Sequence, residues 1–147
     1  MKREPRVLGV ASAARACGLV VLEGSDIVYY WAVPYDRSKS PVQNFAAIRK
    51  RLVSVTNYLR PSQIALSMRE YVRSRDRAIV DCVFAEAQWL ARTHQIRFRS
   101  IDVHNRFRTN LRLAELSRMS LPTGARRSLH LAYEAAWAVY HRSNRAR

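Results

Sequence analysis

Residues 6–33, RVLGVASAARACGLVVLEGSDIVYYWAV, carry three short apolar runs in quick succession. Val7–Ser12 is the first, Cys17–Leu22 the second and Ile27–Val33 the third. Strand-forming residues dominate each run, and Glu23-Gly24-Ser25 supplies a turn before the third. The spacers are too short for a crossover connection, so the runs are expected to pair as antiparallel neighbours. Such a meander begins a mixed sheet and leaves the rest of the chain to cover it.

Downstream, Ser40 followed by Pro41 reads as an N-cap and a first helical residue. Val42, Phe45, Ile48, Leu52, Val55 and Leu59 then recur at steps of three and four, which predicts a helix over 41–59 ended by Pro61. Ile64, Leu66 and Met68 alternate with Gln63, Ala65 and Ser67, the pattern of a half-buried strand. The helix before it makes a crossover, so this strand is expected to run parallel to the first. Residues 69–77 read as a charged loop. Residues 78–91, AIVDCVFAEAQWLA, are apolar on nearly every side and read as a central, largely buried helix. Trp89 is assigned to core or interface. Ile96–Val103 alternates as a short edge strand with an arginine-bearing face, and Asn105–Met119 has a helical pattern. Leu121–Gly124 breaks the chain. The last helix, about 125–142, carries Leu129, Tyr133, Ala136 and Tyr140 at helical spacing. Its Ala132, Ala135 and Ala138 would let it approach the sheet closely. The order β-β-β-α-β-α-β-α-α is that of the ribonuclease H-like fold: α/β, a mixed five-stranded sheet with helices packed on it.

The chain has 147 residues, enough for one domain over 1–147 with a real core. Hydrophobic residues make up 48% of it, which favours a folded protein despite the charge. The formal net charge is +15, from 26 Lys and Arg against 11 Asp and Glu, and the excess is mostly Arg. A polyanion, most simply DNA or RNA, is the partner such a charge fits. The alternatives are a generally basic proteome or an acidic partner protein. No run is long enough to cross a bilayer, and the apolar segment after the basic start is broken by Ser12 and Arg15. Cys17 and Cys82 both sit in apolar runs and read as buried free thiols of a reducing cytoplasm. The four histidines are scattered, and no zinc or Walker-type phosphate motif is present.

The sequence resembles the RuvC-type Holliday junction resolvases along nearly its whole length. Their first strand has the form ILGIDPG followed by TGYGV. Here Val7-Leu8-Gly9-Val10-Ala11-Ser12 is followed by Cys17-Gly18-Leu19-Val20-Val21. Their fourth strand ends P-x-x-x-A-I-E, where this chain has Pro61-Ser62-Gln63-Ile64-Ala65-Leu66-Ser67. Their last helix begins D-A-A-D-A, against Leu131-Ala132-Tyr133-Glu134-Ala135. The resemblance implies Mg²⁺-dependent phosphodiester cleavage by about four clustered carboxylates, and a two-fold dimer acting on four-way junctions. Helix 78–91 is the candidate dimer interface.

Carried over residue by residue, three of the four carboxylates are missing. Ala11, Ser67 and Leu131 replace them, and only Glu134 remains as a catalytic or ligating candidate, with a salt bridge to Arg126 or Arg127 as its structural alternative. No metal site and no cofactor are expected. The expected function is that of a catalytically degenerate resolvase-like protein binding branched or structured DNA. Two alternatives stand beside it: an active Mg²⁺-dependent junction endonuclease with relocated carboxylates such as Asp26, Glu70, Asp76, Asp81, Glu86, Asp102 or Glu115, and an RNA-binding or scaffold protein. Arg69, Arg73, Arg75 and Arg77 form one candidate phosphate-binding group, and Arg97, Arg99, Arg106, Arg108 and Arg112 a second. Tyr30, Trp31, Tyr35, Tyr58 and Tyr71 lie among them. One or two of these are candidates for stacking on an unpaired base, Tyr71 first among them, and core positions are the alternative for all five.

Overall fold

The computed structural model describes residues 4–67, 74–101 and 125–145. Three strands come first: β1 (Arg6–Ser12), β2 (Ala16–Glu23) and β3 (Asp26–Pro34). Helix α1 (Pro41–Leu59), strand β4 (Gln63–Ser67), helix α2 (Arg77–Thr93), strand β5 (Arg97–Ile101) and helix α3 (Ala125–Arg145) follow. One 3₁₀ turn, Ser74–Asp76, leads into α2. The predicted helix over 105–119 and the break at 121–124 lie outside the described residues.

The sheet order is β3-β2-β1-β4-β5. β1 pairs antiparallel with β2, and β2 with β3, as the short spacers require. β4 pairs parallel with β1 and β5 parallel with β4, each reached through a helix. The expected mixed five-stranded α/β sheet is therefore present. β1, β2 and the middle of β4 are buried on both faces. That corrects the half-buried reading of β4: Ala65 is as buried as Ile64 and Leu66, because helices cover both sides of a central strand.

One face of the sheet packs Leu8, Val10, Leu19, Ile64 and Leu66 against Ile48, Leu52 and Val55 of α1 and Ile79, Val83 and Leu90 of α2. The start of α1 is fixed by a capping box. Ser40 Oγ accepts from the Gln43 backbone N–H at 3.2 Å, and Gln43 Oε1 accepts from the Ser40 N–H at 3.0 Å. Such caps contribute about 1 kcal/mol. Buried Asn44 then ties the preceding loop to the helix, accepting from Asp36 N–H at 2.7 Å and donating to the Asp36 carbonyl at 2.9 Å. Arg60 ends α1 in the left-handed region, at φ 46°, just before Pro61. Val42 does not join the core. It is 77% exposed.

Helix α2 is not buried all round. Ile79, Val83, Ala87, Leu90 and Ala91 face the core, whereas Asp81, Cys82, Ala85, Gln88 and Trp89 face outward. Trp89 is 52% exposed, which removes the core half of its core-or-interface reading, and Cys82 is exposed, which corrects its buried-thiol reading. A single layer of helix on the sheet leaves α2 one free face, which a run of apolar residues on its own does not reveal.

The opposite face of the sheet belongs to α3. Leu129, Ala132, Tyr133, Ala136 and Val139 pack on Val7, Val20, Leu22 and Ala65. Two glycines make the close approach possible. A side-chain carbon at Gly9 would run into the Ala132 carbonyl, and one at Gly18 into the Ser128 carbonyl. Small residues on both surfaces, as the alanine spacing predicts, bring helix backbone onto strand backbone.

Candidate nucleic-acid interface

Register places the signature positions together. Ala32, Gly18, Ala11, Ser67 and Ile101 form one row across all five strands, near the C-terminal ends of β1, β4 and β5. Residues in such a row share a face of the sheet. Ala11 and Ile101 lie in the core cluster beneath α3, so Ser67 faces that helix too. Leu131, one turn before Glu134 on α3, is buried in the same cluster. Ala11 and Ser67 thus pair where β1 and β4 end on the α3 side of the sheet, and Leu131 and Glu134 lie on the helix that covers that side.

Their chemistry differs from that of a carboxylate cluster. Ala11 and Leu131 are hydrocarbon, 1% and 2% exposed. The Ser67 hydroxyl and one oxygen of the Glu134 carboxylate are buried with no hydrogen-bond partner among the described residues. Glu134 is half-buried, and burial raises its pKa above the ordinary carboxylate value while the Arg127 guanidinium pulls it down. On the same helix, burial and the charges of Arg126 and Arg127 hold the His130 imidazole below its usual value. Two Mg²⁺ ions need roughly six oxygen ligands each, several of them carboxylate. Among the described residues, one carboxylate and one hydroxyl do not fit that pair; the candidate carboxylates Glu70, Asp102 and Glu115 lie outside them. Among the described residues, no three His, Cys, Asp or Glu side chains gather as a metal-binding group.

The arginines separate by position. Arg97 and Arg99 are exposed on edge strand β5, opposite Gln63 and Ala65 in register, and so lie on the α3 side of the sheet. Two residues apart on one strand face, they stand about 6.6 Å from each other. Arg77 is exposed at the start of α2, whose core side packs on the other face, and sits 3.6 Å from Asp81. The structure therefore brings Arg97 and Arg99 together and sets Arg77 apart. Arg75 lies in the 3₁₀ turn. Arg69, Arg73, Arg106, Arg108, Arg112 and Tyr71 lie outside the described residues.

Of the other aromatics, Tyr35 is mostly buried, and burial raises its phenol pKa. Tyr30, Trp31 and Tyr58 are exposed rather than core. The Arg51 guanidinium lies 4.0 Å over the Trp31 ring. The sequence carries one signal for this: the third apolar run does not alternate, as befits an edge strand with both faces half-covered. Among the described residues, no helix is long and apolar enough to cross a membrane.

In three dimensions the chain is similar to a solved structure of Thermus thermophilus RuvC, with a TM-score of 0.67 and 15% identity over 95% of this chain and 96% of that one. A structure described as T. thermophilus RuvC in complex with Holliday junction substrate gives the same TM-score at 13% identity, with the same coverage. No family model and no curated protein matches the sequence. At this identity the likeness establishes the fold: a ribonuclease H-like, RuvC-like mixed sheet with helices on both faces.

Proposed function

We propose that this chain is a resolvase-like protein that binds branched or structured DNA without cutting it. The observation that carries the reading is the register pairing of Ala11 with Ser67 on the α3 side of the sheet, with Leu131 buried in the same core cluster as Ala11. Hydrocarbon at these positions leaves no ligand set for a metal pair among the described residues. It also removes like-charge repulsion against phosphate at the sheet end. The net charge of +15 and the exposed pair Arg97 and Arg99 support a polyanionic partner. A similar fold described in complex with a Holliday junction makes branched DNA the first substrate to try. Contacts of this kind position a duplex and do not read its sequence.

The same reading makes the chain a homodimer. Ala78, Cys82, Ala85 and Trp89 follow one another at steps of four, three and four along the exposed side of α2, the spacing of a helix-pairing seam. A two-fold contact there would bring Cys82 close to its partner copy. Its two free thiols suit a reducing compartment, and we assign the chain to the cytoplasm.

The test is a titration of the purified chain against four-way junction DNA, linear duplex DNA and duplex RNA, each with and without Mg²⁺, with products run on a denaturing gel. Junction-selective binding with intact strands supports the reading. Mg²⁺-dependent nicks that vanish in Glu134→Ala overturn it in favour of relocated carboxylates. Preference for A-form RNA duplex overturns it in favour of an RNA-binding protein.

A further inference from the structure

A second basic surface lies along the β3 edge, away from Arg97 and Arg99. Its centre is Trp31, 44% exposed on the edge strand with Arg51 of α1 stacked over its ring. Ala47, Arg51, Ser54 and Tyr58 recur at steps of four, three and four, so they share one flank of α1. Tyr58 is 86% exposed and lies about 10 Å along the helix from Arg51. Beyond Trp31 in the other direction, the Tyr35 N–H donates to the Arg15 carbonyl at 2.9 Å, which places exposed Arg15 beside the end of β3. Arg37 and Lys39 are exposed in the loop that follows. Helix α1 contains Arg49, Lys50 and Arg51 and no acidic residue.

We infer that this strip binds single-stranded nucleic acid, with Trp31 and Tyr58 as base-stacking positions and Arg51, Lys50 and Arg15 as phosphate contacts. The inference deepens the proposed function: a branched substrate offers unpaired bases, and this flank offers them aromatic faces beside cations. Bases stack on exposed aromatic rings whatever their sequence, and a basic groove tracks the backbone. An added β-strand from another protein is the competing occupant of an exposed edge. Two features argue against it. β3 carries an irregularity where Leu22 pairs with Ile27 and Val21 with Tyr29, leaving Val28 unmatched, and it ends in Pro34. Bulges and prolines are the devices that blunt a sheet edge against strand addition. The charge complement of the flank is a polyanion.

The test titrates a fluorescein-labelled oligo-dT of about 12 nucleotides, alongside linear duplex DNA, against the wild type, Trp31→Ala, Tyr58→Ala and Arg51→Gln. Each variant is expected to weaken oligo-dT binding about tenfold, with duplex affinity changed less than about twofold. Oligo-dT is also expected to quench tryptophan fluorescence in the wild type and much less in Trp31→Ala. Tyr58 is so exposed that Tyr58→Ala keeps the test valid if Trp31→Ala misfolds. Duplex binding with no oligo-dT binding, or oligo-dT binding unchanged in all three variants, overturns this inference and leaves the proposed function standing. Failure to bind any nucleic acid overturns both.

Discussion

Ala11 on β1 and Ser67 on β4 are register partners in the parallel half of the sheet, and the Ala11 methyl is sealed beneath α3. The pair occupies the point where the resemblance calls for two carboxylates. A methyl there is compatible with a dry seam, whereas a carboxylate would need a cation or a hydrogen-bond donor. Ala11→Asp is therefore expected to destabilise the chain by roughly 3 kcal/mol or more, the cost of a buried unpaired charge. Combining Ala11→Asp, Ser67→Glu and Leu131→Asp with the native Glu134 rebuilds a four-carboxylate set. The denaturation midpoint of that variant should rise on adding Mg²⁺, while the wild-type midpoint stays put. Chemical denaturation with and without Mg²⁺ checks both statements.

The close crossing of α3 over the sheet gives the second prediction. Gly9 lies directly against the Ala132 carbonyl, which belongs to helix backbone and cannot swing aside. Gly9→Ala must push α3 off β1 and open the core on both sides of the contact. A loss of about 3 kcal/mol is expected, at the upper end of overpacking costs. The readout is the shift in urea midpoint; a near-neutral change would mean that α3 is not seated on β1 as described.

Glu134 gives a pH dependence with a definite sign. Burial raises its folded-state pKa above the ordinary value of 4.5, and Arg127 offsets part of that. The folded chain then holds this proton to a higher pH than the unfolded chain does. Its favourable contribution is complete below the unfolded pKa and is lost as pH rises through the folded one. Glu134→Gln abolishes the titration. Against the wild type, it should gain relative stability as pH rises above the ordinary carboxylate value. Thermal midpoints of both chains between about pH 4 and pH 8 measure this.

The fold was legible because its signals are local. Short spacers force the meander, Ser40-Pro41 starts α1, and the alanine spacing of α3 foretells a close approach. The positions of Ala11, Ser67 and Leu131 are singled out by the resemblance to the resolvase motifs, and register brings Ala11 and Ser67 together. What remained hidden depends on which side of an element is covered. Nothing in residues 78–91 says that Cys82 and Trp89 lack a neighbour, since burial is decided by where the next layer stops. For the same reason, the sequence leaves Trp31 and Tyr58 open between core and stacking positions, and the structure puts both on the surface. The Arg51–Trp31 stack joins residues 20 apart in sequence, beyond any periodic pattern.

The two thiols should differ sharply in reactivity. Cys17 is fully buried beside β1, and burial pushes its pKa up to about 12. Cys82 is exposed on α2. Only thiolate reacts with an alkylating agent, and only where the agent can reach it. At dilutions where the proposed two-fold contact along α2 is dissociated, brief treatment of the native chain with iodoacetamide near neutral pH should give one adduct, at Cys82, and denaturant should reveal the second. Peptide mass mapping reads the sites. Early labelling of Cys17 would contradict the packing of α1 and α2 over β1 and β2.

Arg97 and Arg99 are the described pair best placed to meet a duplex backbone, exposed side by side on an edge strand. Each phosphate contact releases condensed counterions, so it contributes to the slope of log affinity against log salt as well as to affinity itself. Arg97→Gln and Arg99→Gln should each weaken duplex binding about equally across sequences and make the salt slope shallower by about one. The double variant should lose about two. Their mutual repulsion in the free chain is small, because both face water, so the two effects should add. Arg77→Gln serves as the contrast. That guanidinium stands beside Asp81 on the other side of the sheet. A duplex that lies along the α3 side does not reach it, and the slope should not move. Anisotropy titrations at several salt concentrations separate these outcomes. An Arg77→Gln slope change as large as that of Arg97→Gln would mean that the duplex wraps the C-terminal end of the sheet instead of lying along one side of it.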